Sequence, residues 1–215
     1  MQNVTIVFGS EYGNAMSIAE KIAVILKQNA NLHCDLINAK DYAKINFSQK
    51  QILVMVTSTY HGKPPGNAGK FMKFIKNSDP EFFANLKVAV LGIGSTDYTE
   101  FCKAAKDFES NLVDHGATRL VMGPLGIQGI YSGPTGAADD AIGLQEVEPW
   151  IDNLNETLKK VAQEAAHKAA QKAAQEAAQE AAHKAAQKAT QENRWLGIII
   201  FTSIAMLMVN RIRPV

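Results

Sequence analysis

The chain has 215 residues, room for one ordinary domain and an appendage but not for two full domains. Fourteen of the 15 Gly and six of the 7 Pro lie in residues 1–150, which carry 13 Lys+Arg against 15 Asp+Glu, whereas residues 151–215 carry 9 against 6. A near-neutral globular part without a basic stripe argues against nucleic acid as a partner. Cys34 and Cys102, with no Cys-x-x-Cys pair, argue against a disulfide scaffold or a structural metal.

The opening MQNVTIVFGSEYGNA has no basic stretch followed by a long apolar run, so it reads as the first strand of a cytosolic domain and not as a secretory signal. Val4–Phe8 is that strand, and Ile18, Ile22, Ile25 and Leu26 then mark one face of a helix. Leu32–Ile37 is a weaker strand, interrupted by polar residues. Gln51–Thr57 and Lys87–Ile93 are near-continuous apolar runs, the pattern of strands buried on both faces. A helix is expected over Asn67–Lys76 and another from about Thr99 to His115, ended by Gly116. Arg119–Met122 is the expected fifth strand, and Glu146–Lys160 the start of the last helix. Strands alternating with helices predict βαβ units and a doubly wound parallel α/β sheet. Between them Gly123–Gly143, with six Gly and two Pro and no periodicity, reads as a long loop.

From Ala162 the chain becomes a four-residue repeat of strong helix formers, with favourable i,i+4 pairs at Glu164–Lys168 and Glu180–Lys184. A period of four drifts around a 3.6-residue helix, so no fixed apolar stripe results. The segment reads as a spacer whose 32 residues would hold its ends about 48 Å apart; a small-residue antiparallel coil is the competing reading. Its histidines, His167 and His183, lie about 160° apart around a helix and cannot share a metal. Trp195–Val209 is wholly uncharged and bounded by Arg194 and Arg211. As a helix it covers about 22 Å against a hydrocarbon core of about 30 Å, and snorkelling arginines with Trp195 at the headgroups would extend the fit. A membrane anchor is the reading preferred over a buried helix or an oligomer contact, because a polar spacer offers no core nearby.

Three loops carry the chemistry. The turn Gly9-Ser10-Glu11-Tyr12-Gly13-Asn14-Ala15 leads into a helix N-terminus, where free backbone N–H groups and the helix dipole suit an anion; an ordinary capped turn fits it equally. It is neither a Walker A loop nor G-x-G-x-x-G. The second loop runs from Thr57 to Ala68 and the third from Gly92 to Cys102. Each follows a strand and sets Gly beside an aromatic that can stack on a flat ring. In open α/β sheets ligands bind at those carboxyl ends. Cys102 reads as a packing residue and not a nucleophile, since no activating base accompanies it. Asp139 and Asp140 read as solvated.

Taken together, S-x-x-G-x-A (Ser10, Gly13, Ala15), S-T-Y-x-G-x-P-P-x-N-A (Ser58 to Ala68) and L-G-I-G-S-x-x-Y-x-x-F-C (Leu91 to Cys102) resemble the flavodoxin-like family. The third motif is most like the short MioC-type proteins and the FMN domains of diflavin reductases. The resemblance covers residues 1 to about 158. It implies a five-stranded sheet of order 2-1-3-4-5 binding FMN, followed here by a long Ala-rich helix and a C-terminal apolar helix. Ser10, Glu11, Tyr12, Gly13, Asn14 and Ala15 would hold the phosphate. Ser58, Thr59, Tyr60, His61 and Gly62, with Gly94, Ser95, Tyr98, Phe101 and Cys102, would flank the isoalloxazine, Tyr98 stacking on it. Tyr12 stands where the family has Thr or a smaller residue. The second loop is about one residue short, with His61 and Lys63 in place of small and acidic residues; Lys63 would favour the flavin hydroquinone or an anionic partner.

The resulting expectation is an FMN-binding domain over residues 1–160, a helical spacer over 161–193 and a membrane anchor over 194–215. Such a protein would be a membrane-tethered FMN electron carrier, more a carrier than a stand-alone enzyme. It would take electrons from a separate flavin- or NAD(P)H-dependent reductase, since no room remains for a nicotinamide or FAD domain, and pass them to a redox acceptor protein. Its flavin domain would face the cytoplasm, and its membrane contact would run through Trp195–Val209. The alternatives are a flavodoxin-like interaction module with weak or no FMN binding, and an FMN-dependent quinone reductase.

Overall fold

The computed structural model describes residues 1–94, 99–120 and 140–211. Its elements alternate as expected: β1 (Gln2–Gly9), α1 (Asn14–Lys27), β2 (Leu32–Asn38), a short 3-10 segment (Ala39–Lys44), β3 (Gln51–Ser58), α2 (Gly69–Lys76), β4 (Leu86–Ile93), α3 (Lys103–Asp114), β5 (Thr118–Arg119) and α4 (Asp140–Arg211). All strand pairs are parallel, and the sheet runs β2-β1-β3-β4-β5.

Alternation along the strands sends side chains to two cores. Val4, Ile6 and Phe8 of β1, Ile52, Val54 and Val56 of β3, and Ala89, Leu91 and Ile93 of β4 pack with Ile18, Ile22 and Leu26 of α1 and with Val147, Trp150, Ile151 and Leu154 of α4. The opposite face, with Val7, Leu53, Met55, Val88 and Val90, packs on Phe71 and Ile75 of α2, Phe108 and Leu112 of α3, and Phe47 and Phe83. Both faces are covered, which is why β3 and β4 read as unbroken apolar runs. The polar pair inside this region is satisfied: the Thr5 hydroxyl donates to Gln51 Oε1 (2.8 Å), and Gln51 Nε2 donates to the Asn46 carbonyl (2.6 Å). Glu109 of α3, also buried, is paired with Arg119 of β5 at 3.2 Å, and burial pushes its carboxyl up against the pull of that guanidinium.

Element ends depart from the sequence reading for tertiary reasons. Helix α2 starts at Gly69, two residues late, after a turn in which the Ala68 and Gly69 N–H groups donate to the Pro65 carbonyl; the Asn67 side chain there accepts from the Ser10 N–H and donates to Asn38 Oδ1. Helix α3 starts at Lys103 and not near Thr99, because Cys102 is left-handed (φ 50°) and breaks the run. Its N-terminal cap comes from another loop: Thr59 Oγ1 accepts the Ala104 N–H at 3.1 Å. The fifth strand is Thr118–Arg119, one residue earlier than expected, and Leu120 still donates its N–H to the Val88 carbonyl. Met122 and most of the expected Gly123–Gly143 loop lie outside the described residues; its last residues, from Asp140, already belong to α4.

The chain divides into two compact units, Met1–Ala165 and Ala166–Val215. In the second, every described side chain as far as Met206 is exposed, as the drifting Ala pattern requires. Here Lys184 pairs with Glu180 as expected, and His167 and His183 each bond a glutamine one turn on, Gln171 at 2.8 Å and Gln187 at 2.7 Å. Among the described residues no group of three or more metal-ligating side chains exists. Nor, among them, is any helix long and apolar enough to cross a membrane; the last part of Trp195–Val209 lies outside the described side chains.

Gly92 shows how closely β4 and α3 approach. A Cβ there would lie 2.7 Å from Ala105 Cβ and 3.0 Å from Cys102 Cβ. Gly92→Ala is expected to destabilise the domain by about 1–3 kcal/mol through overpacking, read as a lowered denaturant midpoint at unchanged slope.

Candidate functional site: a cleft at the carboxyl edge of the sheet

The loops after β1, β3 and β4 meet in one cleft of about 590 Å³, within the size range of small-molecule and cofactor sites. It lies where β2 and β3 flank β1, the crossover point at which such sheets bind ligands. Of the residues singled out above, Ser10, Glu11, Tyr12 and Asn14 line it from the first loop. Ser58, Thr59, Tyr60, His61 and Gly62 line it from the second, and Gly94, Phe101 and Cys102 from the third. The side chain of Ala15 is instead buried in the core beneath the turn, so that residue can offer the cleft only its backbone. Ser95 and Tyr98 lie outside the described residues. Ile93, Thr99 and Glu100 also line the cleft; no chemical signal marked them, only their places at the end of β4 and in the third loop.

In the first loop, Gly13 is left-handed (φ 98°), and a Cβ there would meet nothing. The Ser10 hydroxyl oxygen accepts the Gly13 N–H at 2.9 Å, closing the turn. The first helical bond is Ser17 N–H to the Gly13 carbonyl, and no side chain caps α1. The N–H groups of Asn14, Ala15 and Met16 therefore have no helical acceptor and end the helix as donors. Glu11 does not oppose them, because its carboxylate accepts the Gly66 N–H at 2.9 Å and so ties the first loop to the second.

The second loop is a tight hairpin. Tyr60 and Lys63 exchange backbone hydrogen bonds of 3.0 and 2.9 Å around His61 (φ 47°) and Gly62 (φ 71°), the paired positive φ values of a type I′ turn. Glycine at 62 also leaves room for Glu100, whose Cγ would lie 3.1 Å from a Cβ there. The hairpin holds Tyr60 at the cleft, with the His61 ring edge-on to it at 4.4 Å. Tyr12 approaches Tyr60 from the first loop, ring centroids 5.9 Å apart at 73°. Its interaction with the neighbouring Tyr60, with the Glu11 carboxylate adding to it, holds the Tyr12 phenol above the ordinary tyrosine range.

In the third loop, Gly94 admits Cys102, whose backbone nitrogen and Sγ would both lie 3.2 Å from a Cβ there. Lys106 sits over the Phe101 ring, its Nζ 5.4 Å from the centroid. Burial pushes the Cys102 thiol up to about 11 although Lys106 pulls the other way. The Cys102 side chain is buried, as expected of a packing residue.

The flavodoxin family model matches residues 6–150. The chain belongs to the flavodoxin family. Its cofactor is FMN, and the domain is an FMN electron-transfer domain related to those of diflavin reductases. It is 34% identical over 166 residues to methionine synthase reductase of Bos taurus, covering 74% of this chain and 22% of that one. To the sulfite reductase [NADPH] flavoprotein alpha-component of Salmonella typhimurium it is 38% identical over 122 residues, covering 56% of this chain and 20% of that one. The chain thus spans about a fifth of the length of the curated relatives it matches. Among solved structures, a cysteine-to-alanine mutant of flavodoxin from Pseudomonas aeruginosa superposes with a TM-score of 0.57 at 21% identity, over 74% of this chain and 99% of that one, which shows the shared fold. Flavodoxin from Streptococcus pneumonia TIGR4 superposes with a TM-score of 0.52 at 25% identity, over 71% and 97%.

The residues present fit FMN. One end of the cleft carries uncapped N–H donors and the Ser10 hydroxyl, which suit a phosphate. Its walls supply tyrosine faces and backbone at Gly62 and Gly94, which suit a flat ring. The buried thiol beside this wall has a testable consequence. With a pKa of about 11 in place of 9.0, the Cys102 thiolate fraction at pH 8 falls from about one in ten to about one in a thousand. Iodoacetamide labelling followed by peptide mass spectrometry is expected to leave Cys102 unmodified in the native protein at pH 8. Labelling should appear only above about pH 10 or after unfolding.

Proposed function

We propose that this protein is a membrane-tethered FMN electron carrier that accepts electrons from a separate reductase and passes them to a redox acceptor protein, with its flavin domain facing the cytoplasm. The observation that carries the carrier half of this reading is the convergence of three loops on one cleft that is anion-binding at one end and aromatic along its walls. Bound FMN supplies one- and two-electron chemistry that no side chain here can perform. Ser10 and the N–H groups at the start of α1 would hold the phosphate. Ser58 to Gly62, with Gly94, Phe101 and Cys102, would border the ring, and Tyr98 would stack on it. The hairpin turn keeps Tyr60 from swinging away, and the buried Cys102 and Ile93 keep water from the inner wall.

The tether half rests on the second unit. Trp195, Leu196, Ile198, Ile199, Ile200, Phe201, Ile204 and Met206 are 46–77% exposed and point to all sides of their helix. An exposed apolar surface of that kind needs an apolar cover, and arginines at both of its ends suit a lipid interface. A helical spacer between tether and carrier would raise the effective concentration of membrane-bound partners.

Two measurements test these halves separately. The purified protein is expected to be yellow, with a flavin absorbance spectrum that a reductase system bleaches; a colourless protein unable to take up added FMN overturns the carrier. Removing residues 195–215 is expected to move the protein from the membrane pellet to the soluble fraction, and an unchanged pellet overturns the tether.

A further inference from the structure

Tyr12 is out of place in a phosphate-binding turn, since its bulk adds nothing to the backbone donors that suit an anion. The structure puts it to another use. Its ring lies edge-on to Tyr60, 5.9 Å away at 73°, and both line the same cleft. The described residues leave both rings open: Tyr12 is 75% exposed and Tyr60 43%. The position of Tyr12 is nonetheless held. The Ser10 N–H bond to Asn67 and the Glu11 bond to the Gly66 N–H tie its loop to the loop of Tyr60, which the type I′ turn holds in its turn.

We propose that Tyr12 is a flavin-ring contact and not a phosphate ligand: with Tyr60 it forms a two-tyrosine wall, built from two different loops, that selects for a flat heteroaromatic ring irrespective of the phosphate. An aromatic face and an aromatic edge, set at a steep angle to each other before the ligand arrives, need little reordering on binding. The phosphate end is then served by Ser10 and backbone N–H groups alone, which explains how the turn tolerates a tyrosine.

The inference rests on the FMN reading, and the test separates the two. FMN and riboflavin are each titrated into the full-length native protein, Tyr12→Ala and Tyr12→Phe, following quenching of flavin fluorescence. Melting of the flavin-free proteins by circular dichroism checks folding, which an exposed side chain should not alter. Tyr12→Ala is expected to weaken FMN and riboflavin by the same factor, about tenfold for the loss of one aromatic contact. Tyr12→Phe is expected to stay within about threefold of native for both, since the ring is kept. Loss of FMN affinity alone, equal in Tyr12→Phe and Tyr12→Ala, would make the hydroxyl a phosphate ligand and overturn the proposal. Unchanged affinity for both ligands in Tyr12→Ala would overturn it too. A native protein that binds neither flavin removes this inference together with the FMN reading, and does so before any variant is made.

Discussion

Parallel pairing of β1 with β2 on one edge and β3 on the other sets the whole domain. Parallel neighbours cannot be joined by a tight turn, so every connection must cross over through a helix or a long segment. The crossovers fall on both faces, giving two separate cores and a sheet whose strands are buried on either side. Because β1 sits between strands that lead the chain in opposite directions, the loops after β1 and β3 diverge at the carboxyl edge and leave a crevice. The cleft is thus a consequence of strand order before any side chain is considered.

What makes the crevice chemically selective is a set of contacts between loops. Asn67 receives the Ser10 N–H, Gly66 donates to Glu11, and Thr59 caps α3 through Ala104. Each bond uses a polar group that an isolated loop would leave to water. Together they hold an anion-binding helix end and an aromatic wall at fixed separation, so little conformational entropy remains to be lost on binding. Glu11 is instructive. A carboxylate beside a phosphate turn looks like an error until its bond to Gly66 is seen to engage it elsewhere.

The second unit obeys a different rule. Its repeat presents no constant face to pack, and its described side chains are all exposed. Spacing of this kind uses intrinsic helix propensity and i,i+4 pairs, each contributing about 0.2–0.5 kcal/mol, in place of a core. The apolar residues that follow, Trp195 to Met206, are exposed as well.

Much of this architecture is written locally. The apolar runs of β1, β3 and β4 signal strands buried on both faces, and the amphipathic stretches between them signal crossover helices, because periodicity depends only on near neighbours. The drift of the Ala repeat is likewise a property of spacing alone, and so is the clustering of Gly in loops that follow strands. The helix start at Lys103 was not legible, since it depends on the left-handed Cys102 and on Thr59 from a distant loop. Nor was the position of Ala15 beneath the turn, or the bond of Glu11 to Gly66. Tyr12 shows the division most plainly. By itself the sequence determined that a bulky aromatic stands in the turn before the first helix; only the tertiary structure decided that it faces Tyr60, because that contact requires two loops brought together by parallel strand pairing.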